Sequence, residues 1–255
     1  MTSTASYRQV ADTIRESIRD GLYPRGSLLP NEDALAAELG VHRATINKAL
    51  KILKAEGLVY VHMGVGTYVH QLPPLLRDAA VRHSRAHRER GGVRGALASE
   101  MAAHSYTLDS DHGVGPARPP AAVADVLGVD PDTDSVIVRG PRYMRAEDVP
   151  IQIVTSYIPR SIADGTLIAE LDSGVGGISS RLAELGHAQA DIVEDIEVRP
   201  PTPEEARFLR MTPDQRVFDI FHTGLTADGR AVKVNLYVMP TYQFKLRYRY
   251  PVDPE

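Results

Sequence analysis

The apolar residues near the start of the chain repeat with the period of amphipathic helices. Val10, Ile14 and Ile18 recur every four residues, which predicts a first helix. Asn31 is a favourable N-cap for a second helix, and Gly40 is a favourable residue at which that helix ends. The glycine stands directly before a third apolar-periodic run, which predicts a tight turn between two helices.

The third helix, predicted from about residue 42 to residue 56, has two contrasting sides. At 100° per residue its apolar side chains fall within little more than a quarter-circle. These are Ile46, Ala49, Leu50 and Leu53. The opposite side is basic and amide-bearing, with no acidic residue before Glu56, and it consists of Arg43, Asn47, Lys48 and Lys51. Such side chains suit phosphates and base edges.

Two short strand-like runs, LVYVH and TYVH, follow the third helix and are joined by MGVG. This pattern is typical of a hairpin with a glycine-containing turn. Helix, glycine turn, helix and hairpin form the layout of a winged helix-turn-helix, whose second motif helix enters the major groove of DNA. The alternative is an ordinary three-helix unit with a polar outer surface.

From about residue 99 the pattern changes to strands with few helices between them. Strands are predicted at 101–108, 135–144, 150–158, 191–199, 216–225 and 231–239. Helices are predicted at 120–127, 178–185 and 203–209. Asp228 and Gly229 lie between the last two strands and predict a hairpin turn. Grouped strands of this kind indicate an α+β domain with a mostly antiparallel sheet.

The segment between these regions has a proline pair, six arginines and no sustained apolar side. The arginines are Arg77, Arg82, Arg85, Arg88, Arg90 and Arg94. We interpret it as a solvated linker with a short polar helix, because runs of charge are usually solvated; contact of the arginines with phosphates is the alternative. The predicted division is 1–70, a linker at 71–98, and 99–250.

Composition narrows the class of protein. The chain has 255 residues, of which 43% are apolar and 24% charged, as in ordinary globular proteins. It has no cysteine, which excludes disulfides and thiolate sites. Without a long apolar run or a secretory signal, we expect a cytoplasmic protein with no membrane partner. Residues 1–99 carry 14 basic and 9 acidic residues, whereas residues 100–255 carry 15 basic and 24 acidic residues. The basic N-terminal part could therefore face nucleic acid.

The stretch from residue 7 to residue 69, including LPNEDALAAELGVHRATINKAL and GVGTYV, resembles the DNA-binding domain of the GntR family of bacterial transcription regulators. The resemblance implies a guanine or phosphate contact for Arg43, a phosphate contact for Thr45, and a wing tip in the minor groove at Gly64. The full set of expected DNA-binding residues is His42, Arg43, Thr45, Asn47, Lys48, Lys51, His62, Gly64, Gly66 and Thr67.

Some positions depart from the pattern of that family. His42 replaces a serine, and Asn47 replaces a frequent arginine. Asn47 could instead pair with adenine through two hydrogen bonds. Asp33 stands where some relatives carry a basic residue, and an acid there would repel phosphate. We therefore expect an operator unlike those of better-known relatives.

Residues 100–247 resemble the UTRA effector domain of the HutC-type GntR subfamily, which shares its fold with chorismate lyase. The resemblance is carried by Arg142, Pro150, Ser156, Tyr157, Pro159, Gly186, Gly229 and Val232. It implies a small molecule, often anionic, held between the sheet and loops. The resemblance implies that arginines of the strand carrying Arg139 and Arg142 contact the ligand, together with Tyr157 and Tyr237.

The residues themselves offer candidates for this site. Arg139, Arg142 and Arg145 could clamp a carboxylate or phosphate, and Gly176 and Gly177 precede a helix whose backbone N–H groups could bind an anion. The alternative places Arg139 and Arg145 on the surface of an edge strand.

Met144 and Val154 replace an arginine and an acid that are usual in some relatives. The effector is therefore expected to differ from the amino-sugar phosphates of those relatives.

We therefore expect a homodimeric, ligand-responsive regulator, most often a repressor in this family, that binds a two-fold operator and needs no cofactor or metal. One alternative is a regulator with a vestigial effector pocket. Another is a chorismate-lyase-like enzyme, but no H-E-x-x-H or G-x-S-x-G motif occurs. His83 and His87 form only a lone i, i+4 pair, and Glu194, Asp195 and Glu197 are interpreted as the polar side of a strand. We expect no enzymatic activity.

Overall fold

The computed structural model describes residues 5–62, 64–82, 84, 96–103 and 105–250. The chain forms two compact units, Met1–Leu75 with Tyr242–Lys245, and Leu76–Thr241 with Leu246–Glu255. Within the described ranges, every helix is too short or too polar to cross a lipid bilayer.

The first unit contains three helices in the described residues, followed by a hairpin. The elements are α1 (Tyr7–Arg19), α2 (Glu32–Leu39), α3 (Arg43–Ala55), β1 (Val59–His62) and β2 (Gly66–Val69). All five agree with the sequence-based prediction. Their apolar sides meet in one core, in which Ile14, Leu35, Ile46 and Leu53 are fully or almost fully buried.

Local capping fixes where these helices begin and end. Ser6 and Gln9 form a capping box at the start of α1, and the side chain of Asn31 accepts a hydrogen bond from the backbone N–H of Ala34. Gly40 ends α2 in the left-handed conformation at φ 65°, which suits glycine because it has no Cβ. The chain then turns directly into α3.

The second unit contains the remaining helices and the main sheet of the described chain. Its helices are α4 (Ala79–Arg82), α5 (Ala96–Ala103), α6 (Ala121–Leu127), α7 (Arg160–Ala163), α8 (Gly177–Glu184) and α9 (Pro203–Leu209). Its main strands are β4 (Leu108–Asp111), β5 (Val114–Ala117), β6 (Val136–Ala146), β7 (Val149–Pro159), β8 (Asp191–Arg199), β9 (Val217–Leu225) and β10 (Ala231–Pro240). Two further strands, β3 (Leu75–Asp78) and β11 (Phe244–Arg247), pair with each other.

The main sheet is antiparallel, in the order β4-β6-β7-β10-β9-β8, with β5 also paired to β6. An apolar cluster that includes Val123, Tyr157 and Val234 joins α6 to the sheet. A second cluster that includes Ile158, Ile168 and Leu182 joins α7 and α8 to the sheet. The antiparallel α+β prediction is confirmed.

The predicted strand at 101–108 is wrong. Residues Ala96–Ala103 form α5, and β4 begins only at Leu108. Leu97 and Met101 are both buried and lie four residues apart, which is helical spacing. The sequence did not predict β3, β4, β5 or β11, because these four-residue strands carry too few alternating positions to be recognised.

The solvated-linker interpretation is wrong for the described part of that segment. Arg77 on β3 and Arg82 on α4 are 1% and 3% exposed, and they pair with Glu194 and Glu100. They are therefore not available to phosphates. Arg85, Arg88, Arg90 and Arg94, together with His83 and His87, lie outside the described residues.

Candidate functional sites

The outer side of α3 is basic and exposed, as its apolar pattern predicted. Ile46, Ala49 and Leu53 are completely buried, which directs Arg43, Asn47, Lys48 and Lys51 outward. His42 is the exposed N-cap of the helix and its side chain makes no capping hydrogen bond, while Thr45 is half-buried. The helix therefore presents cations and amides on one continuous surface.

Arg43 and Asn47 are both held by one carboxylate. The Nε of Arg43 donates to Oε2 of Glu32 at 2.8 Å, and Nδ2 of Asn47 donates to Oε1 of Glu32 at 3.0 Å. Asp33 lies 3.5 Å from the Arg43 guanidinium. The hydrogen bonds from Arg43 and Asn47 lower the pKa of Glu32, so it remains ionised at neutral pH. Since the Arg43 side chain is 64% exposed, this pair contributes little to stability.

Lys48 and Lys51 are exposed, and neither makes an ion pair with any residue that the structure describes. They are free to meet phosphates.

The hairpin between β1 and β2 has the shape of a wing. Gly64 lies in the turn at φ 79° and is exposed beside Val65, which is 54% exposed. Gly66 stands where a Cβ would come within 2.8 Å of the Leu28 side chain, and Thr67 follows it on β2. The backbone of His62 belongs to β1, but its side chain lies outside what the structure describes.

One polar row crosses five strands of the main sheet in the second unit. Arg139 pairs in register with Ser156, Ser156 with Asn235, Asn235 with His222, and His222 with Glu194. We call these five residues the polar row. Paired residues of neighbouring strands point to the same face of a sheet, so the row concentrates hydrogen-bonding groups on one face.

A cavity of about 130 Å³ lies over this face, and four of the seven predicted effector-binding residues line it. They are Arg142, Gly176, Gly177 and Tyr237. The N-terminus of α8 provides one wall, as the glycine-rich sequence predicted, although Gly177 donates its own N–H to the carbonyl of Gly174. Residues of α5 provide another wall.

Arg142 is a half-buried cation in this cavity, and it has no carboxylate partner among the described residues. Its Nη2 donates to Oγ of Ser156 at 3.2 Å, while its Nε has no hydrogen-bond partner in the part of the chain that the structure describes. Burial lowers the pKa of Arg142, because a cation removed from water loses hydration. An anion bound in the cavity would compensate the guanidinium for this lost hydration.

Other polar groups complete the lining of the cavity. Nζ of Lys233 donates to Oγ of Ser179 at 2.9 Å, and Nδ2 of Asn235 donates to the hydroxyl of Tyr237 at 3.0 Å. Oδ1 of Asn235 and Oε1 of Gln152 are buried and have no hydrogen-bond partner within the described ranges. Gln152, Lys233 and Asn235 are not among the effector-binding residues predicted from the sequence.

The sequence does contain a pattern that could have indicated Lys233 and Asn235. Together with Tyr237 they occupy alternate positions of a strand that is otherwise apolar.

Three other predicted effector residues lie elsewhere. The Arg139 guanidinium donates to the carbonyl oxygens of Ile168, Glu170 and Leu171, and burial lowers its pKa to about 10. It lines a neighbouring pocket with His112 and Arg142. Since β6 pairs on both sides and Arg139 is 3% exposed, the edge-strand alternative is wrong for this residue.

Arg145 and Tyr157 are not brought to the cavity. Arg145 is half-buried, with its guanidinium 4.9 Å from the ring centroid of Phe208 and 3.9 Å from the carboxylate of Asp109. Tyr157 packs against Val123 and Val234 in the α6 cluster. It neighbours Ser156 of the polar row, so the alternation of a strand turns it to the other face.

Glu194 lies at the end of the polar row and is not the solvated residue that the sequence suggested. Its side chain is 5% exposed and accepts hydrogen bonds from Arg77, His222 and Tyr248. Burial would raise the pKa of Glu194, but the hydrogen bonds from His222 and Arg77 outweigh it and hold the pKa well below its usual range. We call these four residues the Glu194 cluster. Asp195 and Glu197 are exposed, as predicted.

The described residues contain no group of three or more histidine, aspartate or glutamate side chains placed to bind a metal ion.

Comparison with known proteins identifies both parts of the chain. Residues 6–69 match the family described as bacterial regulatory proteins, gntR family, and residues 112–245 match the UTRA domain. An HTH-type transcriptional regulator of Streptomyces coelicolor is 31% identical over 252 residues, which cover 96% of this chain and 93% of that protein. The HTH-type transcriptional regulator GgaR of Escherichia coli is 26% identical, over 62% of this chain and 57% of that protein.

Solved structures agree with this assignment. A GntR-family transcriptional regulator is 26% identical with a TM-score of 0.57, and the match covers 98% of both chains. PhnF from Mycobacterium smegmatis, at 18% identity and a TM-score of 0.58, covers 97% of this chain and 100% of its own and shares the fold. The chain therefore belongs to the GntR family of bacterial regulatory proteins, and it is a DNA-binding transcriptional regulator that carries a UTRA effector domain.

Proposed function

We propose that the protein is a homodimeric repressor, and that a small anionic effector in the second unit releases it from its operator. The observation that carries this proposal is the half-buried Arg142 side chain, which lines the cavity with a buried, unpartnered Nε and has no carboxylate partner among the described residues. The proposal keeps the predicted division into a DNA-binding part at 1–70, a linker at 71–98, and an effector part at 99–250.

The DNA-binding half of the proposal rests on the outer side of α3. Arg43 and Asn47 lie one helical turn apart, so both can reach base edges when α3 lies in the major groove. Lys48, Lys51 and Thr45 would meet phosphates beside them, and His42 would do so at the N-terminus of the helix. The wing, with His62, Gly64, Gly66 and Thr67, would contact the adjacent minor groove.

A two-fold dimer suits this surface. A single α3 of 13 residues reads only a few base pairs, and helix-turn-helix dimers read two half-sites about one helical turn apart. We therefore expect an operator with two-fold symmetry, each half contacted by one α3.

The effector half rests on electrostatics. A cation that has lost part of its hydration and has no counter-ion is costly, and a carboxylate or phosphate bound by two hydrogen bonds would offset that cost. Tyr237, Gly176 and Gly177 would complete the anion's surroundings, while Lys233 and Asn235 offer further polar contacts. Arg139 would act from the neighbouring pocket, and the positions of Arg145 and Tyr157 do not support a contact.

Control of DNA binding would follow from the effector's different affinities for two states of the dimer. A difference of about 1–3 kcal/mol between those states changes operator affinity by roughly 5- to 150-fold.

Two experiments test the proposal. Selection of duplexes from a random library by the purified protein should yield a palindromic sequence, and recovery of unrelated duplexes would contradict the DNA-binding half. Thermal-shift screening of small carboxylates and phosphates should then find a stabiliser that Arg142→Met no longer recognises, while the matched control Arg145→Met responds normally. If every anion in a broad panel is inactive, a vestigial pocket is favoured.

A further inference from the structure

The Glu194 cluster collects side chains from three distant parts of the chain. His222 comes from β9 and lines the cavity, with its Nδ1 2.8 Å from Oε1 of Glu194. Arg77 comes from β3, and its Nη1 donates to Oε2 of Glu194 at 2.9 Å. Tyr248 follows β11, and its hydroxyl donates to the same Oε2 at 2.7 Å. One carboxylate thus binds a residue of β3 and the residue that directly follows β11.

A second contact joins the cavity to Arg77. The Arg77 guanidinium carbon lies 5.6 Å from the centroid of the Tyr237 ring, and Tyr237 lines the cavity. The rings of Tyr237 and His222 meet edge to face, with centroids 5.8 Å apart. Arg77 therefore touches one cavity residue directly and is linked to a second through Glu194.

Burial makes this arrangement sensitive to displacement. The Arg77 side chain is 0% exposed, and its Nε has no hydrogen-bond partner among the residues that the structure describes. Separating Arg77 from Glu194 would leave two uncompensated charges in the interior, which is far more costly than breaking an exposed pair. A shift of His222 or Tyr237 that moves Glu194 must therefore move Arg77 with it.

We infer that Glu194 is a positioning residue through which the occupant of the cavity sets the placement of Arg77, and with it β3. In the sequence, β3 directly follows the DNA-binding part, so this strand is suited to convey the state of the cavity. The inference rests on the proposed function in one respect, because it assumes that the effector occupies this cavity.

The test needs no effector, because substitutions can perturb the cavity side of the cluster. Three variants of the full-length protein are compared. His222→Gln changes the residue of the Glu194 cluster that lines the cavity, and Glu194→Gln changes the carboxylate at its centre. Arg77→Lys keeps the positive charge on β3 but cannot form the paired hydrogen bonds of a guanidinium. Hydrogen–deuterium exchange is measured for peptides that contain residues 75–78 and, separately, for peptides from β10. Affinity is measured for the duplex that the wild type selects.

His222→Gln is expected to accelerate exchange in β3 about tenfold, which corresponds to one hydrogen bond to a charged group. In the Glu194→Gln background the same substitution should add nothing, because the connection is already broken. Exchange in β10 should stay unchanged, and affinity for the selected duplex should shift several-fold.

The matched control is Thr223→Val, since Thr223 is buried beside His222 in sequence but belongs to no part of the Glu194 cluster. It should leave β3 exchange as in the wild type. The inference is overturned if His222→Gln leaves β3 unchanged, if β10 accelerates equally, or if Thr223→Val has the same effect. Failure of every candidate effector would count against the proposed function and would leave this result standing.

Discussion

Arg43 on α3 donates its Nε–H to Glu32 on α2 at 2.8 Å, so a residue that we assign to the operator is held by a carboxylate in the free protein. If Arg43 contacts the operator as we propose, a phosphate or a guanine edge would replace this carboxylate. The exchange costs little because the pair is exposed to solvent. Until DNA arrives, Glu32 keeps both Arg43 and Asn47 in ordered positions.

Arg43→Ala is expected to weaken binding to the selected duplex by about 1–3 kcal/mol, because a bidentate contact to a base or phosphate is lost. Fluorescence anisotropy at fixed salt measures the change. Arg19→Ala, an exposed change on α1, should bind normally. If Arg43→Ala binds as well as the wild type, α3 is not the reading helix.

Glu32→Gln is expected to strengthen binding to unrelated duplexes and to lower the specificity ratio. The substitution keeps an acceptor for Asn47 but removes a negative charge that competes with phosphate for Arg43. Binding titrations from about 50 to 200 mM salt, on selected and unrelated duplexes, measure the effect. Glu16→Gln on α1 is the charge-matched control. An unchanged ratio would show that Glu32 does not compete with DNA.

Arg142→Met is expected to stabilise the second unit in the absence of an effector. The apolar side chain fills similar space and removes a half-buried cation that lacks a carboxylate partner among the described residues, a gain of about 1 kcal/mol at most. The corresponding rise in Tm is about 2–4 °C. Arg145→Met changes an arginine that is also half-buried but is paired with Asp109, so it should not raise Tm. A loss of stability in Arg142→Met would show that the guanidinium is already compensated.

The helices of the first unit could be predicted because their signals are local. Apolar spacing, Asn31 and Gly40 act within a few residues, and the structure confirms each of them. By contrast, β3 exists through pairing with β11, about 170 residues further along the chain. No local pattern in the arginine-rich segment indicates that Arg77 is buried against Glu194.

The residues that line the cavity could be predicted only in part, because they too depend on pairing between distant strands. The cluster of arginines pointed to β6, but strand register decides which of them meets the ligand face. Register places Arg139 opposite Ser156 and turns Tyr157 away, a difference of one residue that resemblance alone did not resolve. Polar residues scattered over several strands become one row only when the pairing is known.

Acid is expected to destabilise the second unit through His222. Burial lowers the pKa of His222 to about 4 from its ordinary 6.5, although Glu194 and its hydrogen bond favour the charged ring. The folded state thus binds fewer protons than the unfolded state between these values. Stability is fully present above pH 6.5 and falls by about 1.4 kcal/mol per pH unit toward pH 4.

In the same pH range Glu194 remains ionised, because the pKa of this carboxyl is held well below its usual range. A neutral His222 must therefore donate its Nδ1–H to it. Urea unfolding monitored by exchange in β9 and β10 at pH 7, 6 and 5 measures the slope. His222→Gln should flatten the slope, whereas His70→Gln, a change in the first unit, should leave it intact for these strands. An equal slope in His222→Gln would mean that another group in the second unit takes up the proton.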